Sequence, residues 1–221
     1  MKTWLRDNGL SIALSALFMA SLTGQAVTGW VSENDNLLDH GQAPLLFLPY
    51  LASGAFLSAL FENWESEFLQ MWVFVMLTAY LFQRGSPESK DPDKPAPQDR
   101  DPKLDAKKAE APWAVRAGGL IRTTYSHSLG LALLLLFVVS FVLHWVNSAR
   151  NAANEALAHG HPALPLAAHL TQPEFWFESF QNWQSEFLST AVLIVLAIFL
   201  RERGSPESKP VGAPHSKTGT D

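Results

Sequence analysis

Residues 63–69 read NWESEFL and residues 182–188 read NWQSEFL; residues 84–90 read RGSPESK, and residues 203–209 read RGSPESK again. Both pairs are offset by 119 positions (63 to 182, 84 to 203). The same offset pairs His40-Gly41 with His159-Gly160, Leu17-Phe18 with Leu136-Phe137, Leu51 with Leu170, and Phe56 with Phe175. One gapless offset therefore aligns 9–90 with 128–209, the mark of a chain built from two copies of one unit.

The unit is a membrane unit. The chain of 221 residues is 17% charged, but the charges are unevenly placed. Residues 9–31 and 128–147 are apolar runs of the length a helix needs to cross a bilayer's hydrocarbon. Residues 68–82 and 187–200 are shorter and reach that length with a few flanking residues. The expected fold is all-α: a four-helix transmembrane bundle from two tandem, parallel two-helix repeats. The uncharged stretch 44–61 competes as a fifth span. Its counterpart 163–180 carries His169, Gln172, Glu174 and Glu178, which are costly in hydrocarbon. Both stretches therefore read as outer loops and amphipathic segments. The apolar run after Lys2 and Arg6 has no small-x-small cleavage site and reads as a retained anchor rather than a signal peptide.

Four regions follow: a first repeat over 1–90, a linker over 91–112, a second repeat over 113–209 and a tail over 210–221. Linker and tail are rich in Pro, Asp and Lys and poor in large apolar residues, the composition of disorder. Lys and Arg are absent from 31–66, and Arg150 is the only one in 148–185. The positive-inside rule then places both termini and the linker in the cytoplasm.

Function is less legible. There are no cysteines, so disulfides and thiolate chemistry are excluded. The net charge is −5 and basic residues are scattered, which gives nucleic-acid binding no support. No nucleophile elbow, phosphate loop, dinucleotide fingerprint or H-E-x-x-H occurs, so the expectation is a non-enzymatic protein without a cofactor. Histidines and acidic residues of the outer loops match no metal-ligand spacing, and no metal ligands are assigned.

One polar stripe stands out. Asn63 and Glu67 are four residues apart on a helical face, which Gln70 and Thr78 continue; Asn182, Glu186, Ser189 and Ala197 form the matching face. A polar or small stripe on a spanning helix faces inward. Two readings stand side by side. Glu67 and Glu186 bind a cation or carry protons at a pseudo-twofold site, or they sit in the first helical turn, complement the helix dipole and are capped by Asn63 or Ser66. His144 is read as a hydrogen-bonding residue inside the bundle. In RGSPESK, Gly85 and Gly204 suit a left-handed residue past a helix end and Pro87 and Pro206 stop continuation. That leaves ESK without a role, other than docking an unknown protein partner.

The WLRDNGLS start, the NWxSEFLQ loop-to-helix motif and the RGSPESK end resemble an uncharacterised family of small bacterial integral membrane proteins, classed as a domain of unknown function. The resemblance covers 4–90 and, as a second copy, 128–209. It implies a bacterial inner-membrane location and no activity. The expected role is a structural or accessory membrane component in contact with the lipid bilayer. The alternative is a small ion or proton-coupled transporter using Glu67 and Glu186, for which a four-helix bundle calls for a homodimer.

Overall fold

A computed structural model describes residues 2–219 of the chain. Met1, at the start of the first repeat, and Thr220 and Asp221, at the end of the tail, lie outside the described residues. The described residues are helical, with no strand among them. Four helices are long: α2 (Gly9–Asp39), α4 (Gly54–Tyr80), α7 (Ser128–Ala158) and α9 (Pro173–Phe199). Five are short: α1 (Lys2–Asp7), α3 (Phe47–Leu51), α5 (Trp113–Ala117), α6 (Gly119–Ser126) and α8 (Leu166–His169). Both ends of α7 and of α9 lie 119 positions after the ends of α2 and of α4.

α2, α7 and α9 are long and apolar enough to cross a membrane. Leu10, Leu17, Leu135 and Leu193 are exposed along them, as lipid-facing residues are. α4 is as long as α9 but more polar in its first half, which carries Glu62, Asn63, Glu65, Glu67 and Gln70.

The helices run well past the expected apolar cores. α4 starts at Gly54 and α9 at Pro173, so the outer segments expected as separate amphipathic pieces shrink to α3 and α8. Local chemistry explains both starts. The Ser53 hydroxyl accepts the Phe56 amide at 3.2 Å, an N-terminal cap. Pro173 occupies the first helical position, where its fixed φ fits and its missing N–H is not needed.

The chain folds as two compact units. The first comprises 1–61 and 142–175, the second 62–141 and 176–221. In the first unit, Asn34 clasps Leu45 in both directions: its Nδ2 donates to the Leu45 carbonyl at 3.1 Å and its Oδ1 accepts the Leu45 amide at 2.7 Å. Trp30 Nε1 donates to the same carbonyl at 2.7 Å. Ser148 Oγ and His169 Nε2 lie 2.9 Å apart beneath the buried Phe175 ring. The His40 and His159 rings, which occupy matching positions, meet edge-on at 5.6 Å.

Gly54 shows how closely the backbones approach in this unit. A Cβ built there would sit 2.8 Å from the Asn151 amide nitrogen and 2.9 Å from the Asn147 carbonyl oxygen. Backbone cannot swing aside as a side chain can. Gly54→Ala is therefore expected to lower stability by about 1–3 kcal/mol, the range for overpacking a tight contact. Thermal unfolding in detergent measures it; an unchanged Tm would show that the helices separate there at no cost.

In the second unit, the stretch 91–112 forms turns and two single 3-10 turns, Pro97–Asp99 and Pro102–Asp105. It is pinned by ion pairs such as Lys90–Asp99 at 2.7 Å and Lys108–Asp105 at 2.6 Å. Ala111, Ala114 and Val115 are buried where the segment runs into α5.

Candidate functional site

Each RGSPESK motif folds into the same loop. The Ser86 amide donates to the Gln83 carbonyl at 3.1 Å, and the Ser205 amide to the Glu202 carbonyl at 3.3 Å. The third residue of each four-residue turn is glycine, with φ of 87° at Gly85 and 92° at Gly204. A positive φ at that position is the signature of a type II turn and favours glycine. These glycines lie five residues beyond the helix ends at Tyr80 and Phe199, so they build the turn rather than terminate the helix.

The serines lock the loop from inside. Ser89 Oγ accepts the Gln83 amide at 2.8 Å, and Ser208 Oγ accepts the Glu202 amide at 3.0 Å. Ser86 Oγ accepts the Glu88 amide at 3.2 Å, as Ser205 Oγ accepts the Glu207 amide at 3.2 Å. Short side chains bonding backbone two residues on are a recurrent turn device. Ser86 and Ser205 use that device, and Ser89 and Ser208 close the loop by binding the amide six residues earlier.

Glu88 and Glu207 line one cleft of about 350 Å³ in the second unit together with Glu67 and Glu186. Gln70 and Ser189, again at matching positions, line it as well. Gln70 Nε2 donates to Thr190 Oγ1 at 2.6 Å across its wall. The four carboxylates thus come from two motifs, each present twice. A second, mainly apolar cleft of about 390 Å³ adjoins it, with Val73, Leu77 and Ile194 on its walls.

The helix bounds overturn the capping reading of Glu67 and Glu186. Each is the fourteenth residue of a 27-residue helix, far from the first turn. Ser66 Oγ donates to the Asn63 carbonyl at 2.8 Å, a bond within the helix rather than a cap. The reason is the early start of α4 and α9, nine residues before Asn63 and Asn182.

The other expected site residues go elsewhere. Asn63 is exposed and Asn182 Nδ2 donates to Glu62 Oε1 and to the Glu178 carbonyl, at 3.3 Å for the latter. His144 belongs to the first unit, fully buried with its ring 4.9 Å from that of Phe175. Of the expected residues, the fold brings together Glu67, Gln70 and Glu186.

Two features escaped the sequence. Glu88 and Glu207 were present in the repeated ESK, but nothing local says that the loop turns them back to the helices. Glu65 is the other. It is fully buried, and its Oε1 accepts from Ser179 Oγ at 2.9 Å and from Trp183 Nε1 at 3.1 Å. Its counterpart Gln184 is exposed and donates to the Gln181 carbonyl at 3.1 Å. The variable letter of NWxSEFL marks this difference: a buried carboxylate in one copy, a surface amide in the other.

The lysines also diverge. Lys90 Nζ donates to the Ala79 carbonyl at 2.8 Å, at the C-terminal end of α4, where a cation complements the helix dipole. Lys209 is buried instead. Its Nζ donates to the carbonyls of Gly85 at 2.6 Å, His215 at 2.9 Å, Lys217 at 3.1 Å and Pro214 at 3.4 Å. The tail 210–219, expected as disordered by composition, coils around this ammonium.

Three apolar helices, with a cleft lined by carboxylates, define the class: a small helical protein with the features of a multi-pass membrane protein. The chain belongs to the family described as a domain of unknown function, DUF6766, whose model matches residues 1–220. The whole chain, both halves and the linker, is thus one family unit. No curated protein and no solved structure matches it.

Proposed function

We propose that this is a non-enzymatic, multi-pass protein of the bacterial inner membrane whose carboxylate-lined cleft takes up protons or a small cation. The observation that carries this reading is the convergence of Glu67, Glu186, Glu88 and Glu207 on one cleft. Ionisable groups at membrane depth are expensive, and those retained there serve ion or proton pathways by default. Glu67 lies 13 residues before the end of α4 and Glu186 13 before the end of α9. At 1.5 Å per residue that is about 20 Å, inside a hydrocarbon layer of about 30 Å that begins near those ends.

The architecture proposed with it has four crossings, α4 being the fourth, as two parallel copies of a two-helix unit. Residues 1–90 and 113–209 are the copies, 91–112 the linker and 210–221 the tail. The matching helix bounds support this. So does the contact of the His40 and His159 rings: a residue that meets its own counterpart lies on a local pseudo-twofold axis. The distribution of Lys and Arg supports cytoplasmic termini and linker. A single cysteine at Ser32 should then react with an impermeant thiol reagent in intact cells, and one at Asp91 or Pro210 only after lysis. The chain's lack of cysteine makes the labelling clean. Labelling of Asp91→Cys with none of Ser32→Cys would reverse the orientation.

The test of function uses the wild-type protein. A thermal shift with one monovalent or divalent cation in detergent, or proton flux into liposomes, supports the reading. A wild type with neither leaves a structural or accessory role. A homodimer and a partner at the RGSPESK loops belong to the same proposal, and native mass spectrometry in mild detergent resolves both.

A further inference from the structure

The mainly apolar cleft of about 390 Å³, lined by α4 and α9, has the depth of one lipid leaflet. It runs from Gln70 to Leu81 and Phe82, just past the end of α4 at Tyr80. At 1.5 Å per residue, the stretch from Gln70 to Tyr80 covers about 15 Å, half of a hydrocarbon layer of about 30 Å. The hydrogen bond of Gln70 to Thr190 stands at the mid-helix end. Leu77, Leu81 and Phe82 line the cleft and are also exposed, so its apolar wall continues onto the surface that a bilayer would cover.

A second cavity, of about 530 Å³, continues this slot past the end of α4. Thr78, Glu88 and Ser89 line both spaces. The walls of the second come from the first RGSPESK loop, the turns that follow it and the end of the tail, and they carry Lys90, Asp91, Lys94 and Asp99. An apolar slot thus opens into a charged chamber where a crossing helix would reach the headgroups. That is the outline of an amphiphile, and a mostly apolar cavity with a few placed polar groups is the usual make-up of a ligand site.

The charges of the chamber select the headgroup. Lys94 pairs with Asp91 at 3.3 Å. Lys90 Nζ donates to Asp99 at 2.7 Å and to the Ala79 carbonyl at 2.8 Å, which uses two of its three donors. It also lies over the Phe82 ring, 5.7 Å from its centre, so an ammonium stands at the mouth of the slot with a donor for a phosphate oxygen. Glu88 is the carboxylate beyond these two ion pairs, and it lines slot and chamber alike. It favours an ammonium and repels an anionic headgroup. A primary ammonium donates hydrogen bonds to a carboxylate, whereas a quaternary one has no N–H to offer.

We propose that slot and chamber hold one phospholipid with a primary-amine headgroup, of the ethanolamine kind, from the leaflet in which α4 and α9 end. An acyl chain lies along Val73, Leu77 and Ile194, the phosphate meets Lys90, and the ammonium meets Glu88. This gives the glutamate and lysine of ESK a role in the first copy. In the second copy the matching lysine, Lys209, is buried among carbonyls and cannot meet a headgroup, so one lipid per chain is expected. The inference rests on α4 crossing the membrane, as proposed above, but not on ion uptake by the carboxylate cleft.

Native mass spectrometry of the full-length protein in mild detergent reads the site. The protein is mixed with equal amounts of palmitoyl-oleoyl phosphatidylethanolamine, phosphatidylcholine and phosphatidylglycerol at about pH 8. Burial pushes the Glu88 carboxyl up to about 7, so it is ionised there. One ethanolamine lipid per chain should be retained, with about tenfold preference over the other two, the factor that one charge-assisted hydrogen bond contributes. Glu88→Gln should still hold a lipid but lose the preference. Ala191→Trp, at an exposed position on the slot wall, should fill the slot and displace the lipid. Thermal unfolding without added lipid checks that each variant folds, and Glu88→Gln decides alone if Ala191→Trp does not. A wild type that retains no lipid, holds the three alike or prefers the glycerol lipid overturns the proposal. So does a preference that survives Glu88→Gln, or retention that survives Ala191→Trp in a folded protein. Labelling of Ser32→Cys and Asp91→Cys from one side of the membrane would remove α4 as a crossing and the site with it. Absence of a cation-dependent shift and of ion flux would count against the proposed function and leave lipid retention untouched.

Discussion

Replacing Glu67 and Glu186 together by glutamine is expected to remove the cation-dependent thermal shift or the proton flux of the wild type, with at least a tenfold loss, while the protein still folds. Glutamine keeps the shape of glutamate and its ability to accept a hydrogen bond, but it holds neither charge nor exchangeable acid proton. Both residues lie at mid-helix and line the cleft, so neither is needed to start its helix. Folding should therefore change little. The single variants separate two mechanisms. If the matched pair works as one site, each single change costs nearly as much as the double. If each carboxylate acts alone, the losses multiply. A double variant that retains the full wild-type signal would move the site away from these residues. The pairing of Gln70 with Thr190 beside them provides a control, because Gln70→Leu removes a neutral hydrogen bond without changing the charge of the cleft.

The second large effect is expected at Gly85. Alanine there meets two obstacles. The backbone φ is 87°, in the region where a Cβ costs roughly 1–2 kcal/mol. The new Cβ would also lie 2.7 Å from the His215 carbonyl oxygen and 3.1 Å from Ile198 Cγ2. Overpacking of that kind adds about 1–3 kcal/mol. Gly85→Ala should therefore destabilise by about 2–5 kcal/mol and detach the tail from the first loop. Gly204 supplies the comparison. It has the same turn geometry, with φ of 92°, but nothing lies within 4 Å of its Cβ position. Gly204→Ala should cost only the backbone term. Thermal unfolding in detergent and limited proteolysis of 210–219 measure the difference. Equal Tm losses in the two variants would mean that the tail does not pack on Gly85 in solution.

These two glycines show where reading the chain stops and folding takes over. The motif RGSPESK occurs twice with one spelling, and from its letters Gly85 and Gly204 are equivalent. What separates them is the carbonyl of His215, 130 residues away from Gly85, and Lys209 is what holds that carbonyl in place. The same limit applies to Glu65 and Gln184. The sequence shows that one letter of NWxSEFL varies, but only packing against Ser179 and Trp183 makes the glutamate a buried acceptor.

What the sequence determined by itself is whatever depends on neighbours along the chain. The apolar runs make α2, α7 and α9 apolar enough for a membrane, because hydrophobicity over some twenty residues is a local sum. The repeat predicts matching helices, and α2 with α7 and α4 with α9 end in register. A positive φ at Gly85 and Gly204 was legible because glycine tolerates it, but the sequence set it at a helix end and the structure sets it in a turn. The face shared by Glu67 and Gln70 follows from helical periodicity alone. Helix starts were less legible, because Ser53 and Pro173 begin α4 and α9 inside stretches whose composition also suits a surface segment.

Tertiary structure alone decided which groups meet. A loop's own hydrogen bonds fix its shape but not the direction in which it folds against the helices before it. That direction places Glu88 and Glu207 in the cleft of Glu67 and Glu186. It likewise gives a charged tail a structure, since Lys209 offers an ammonium whose burial requires carbonyl partners and the tail supplies three of them. Composition counts apolar residues and has no means of counting such partners.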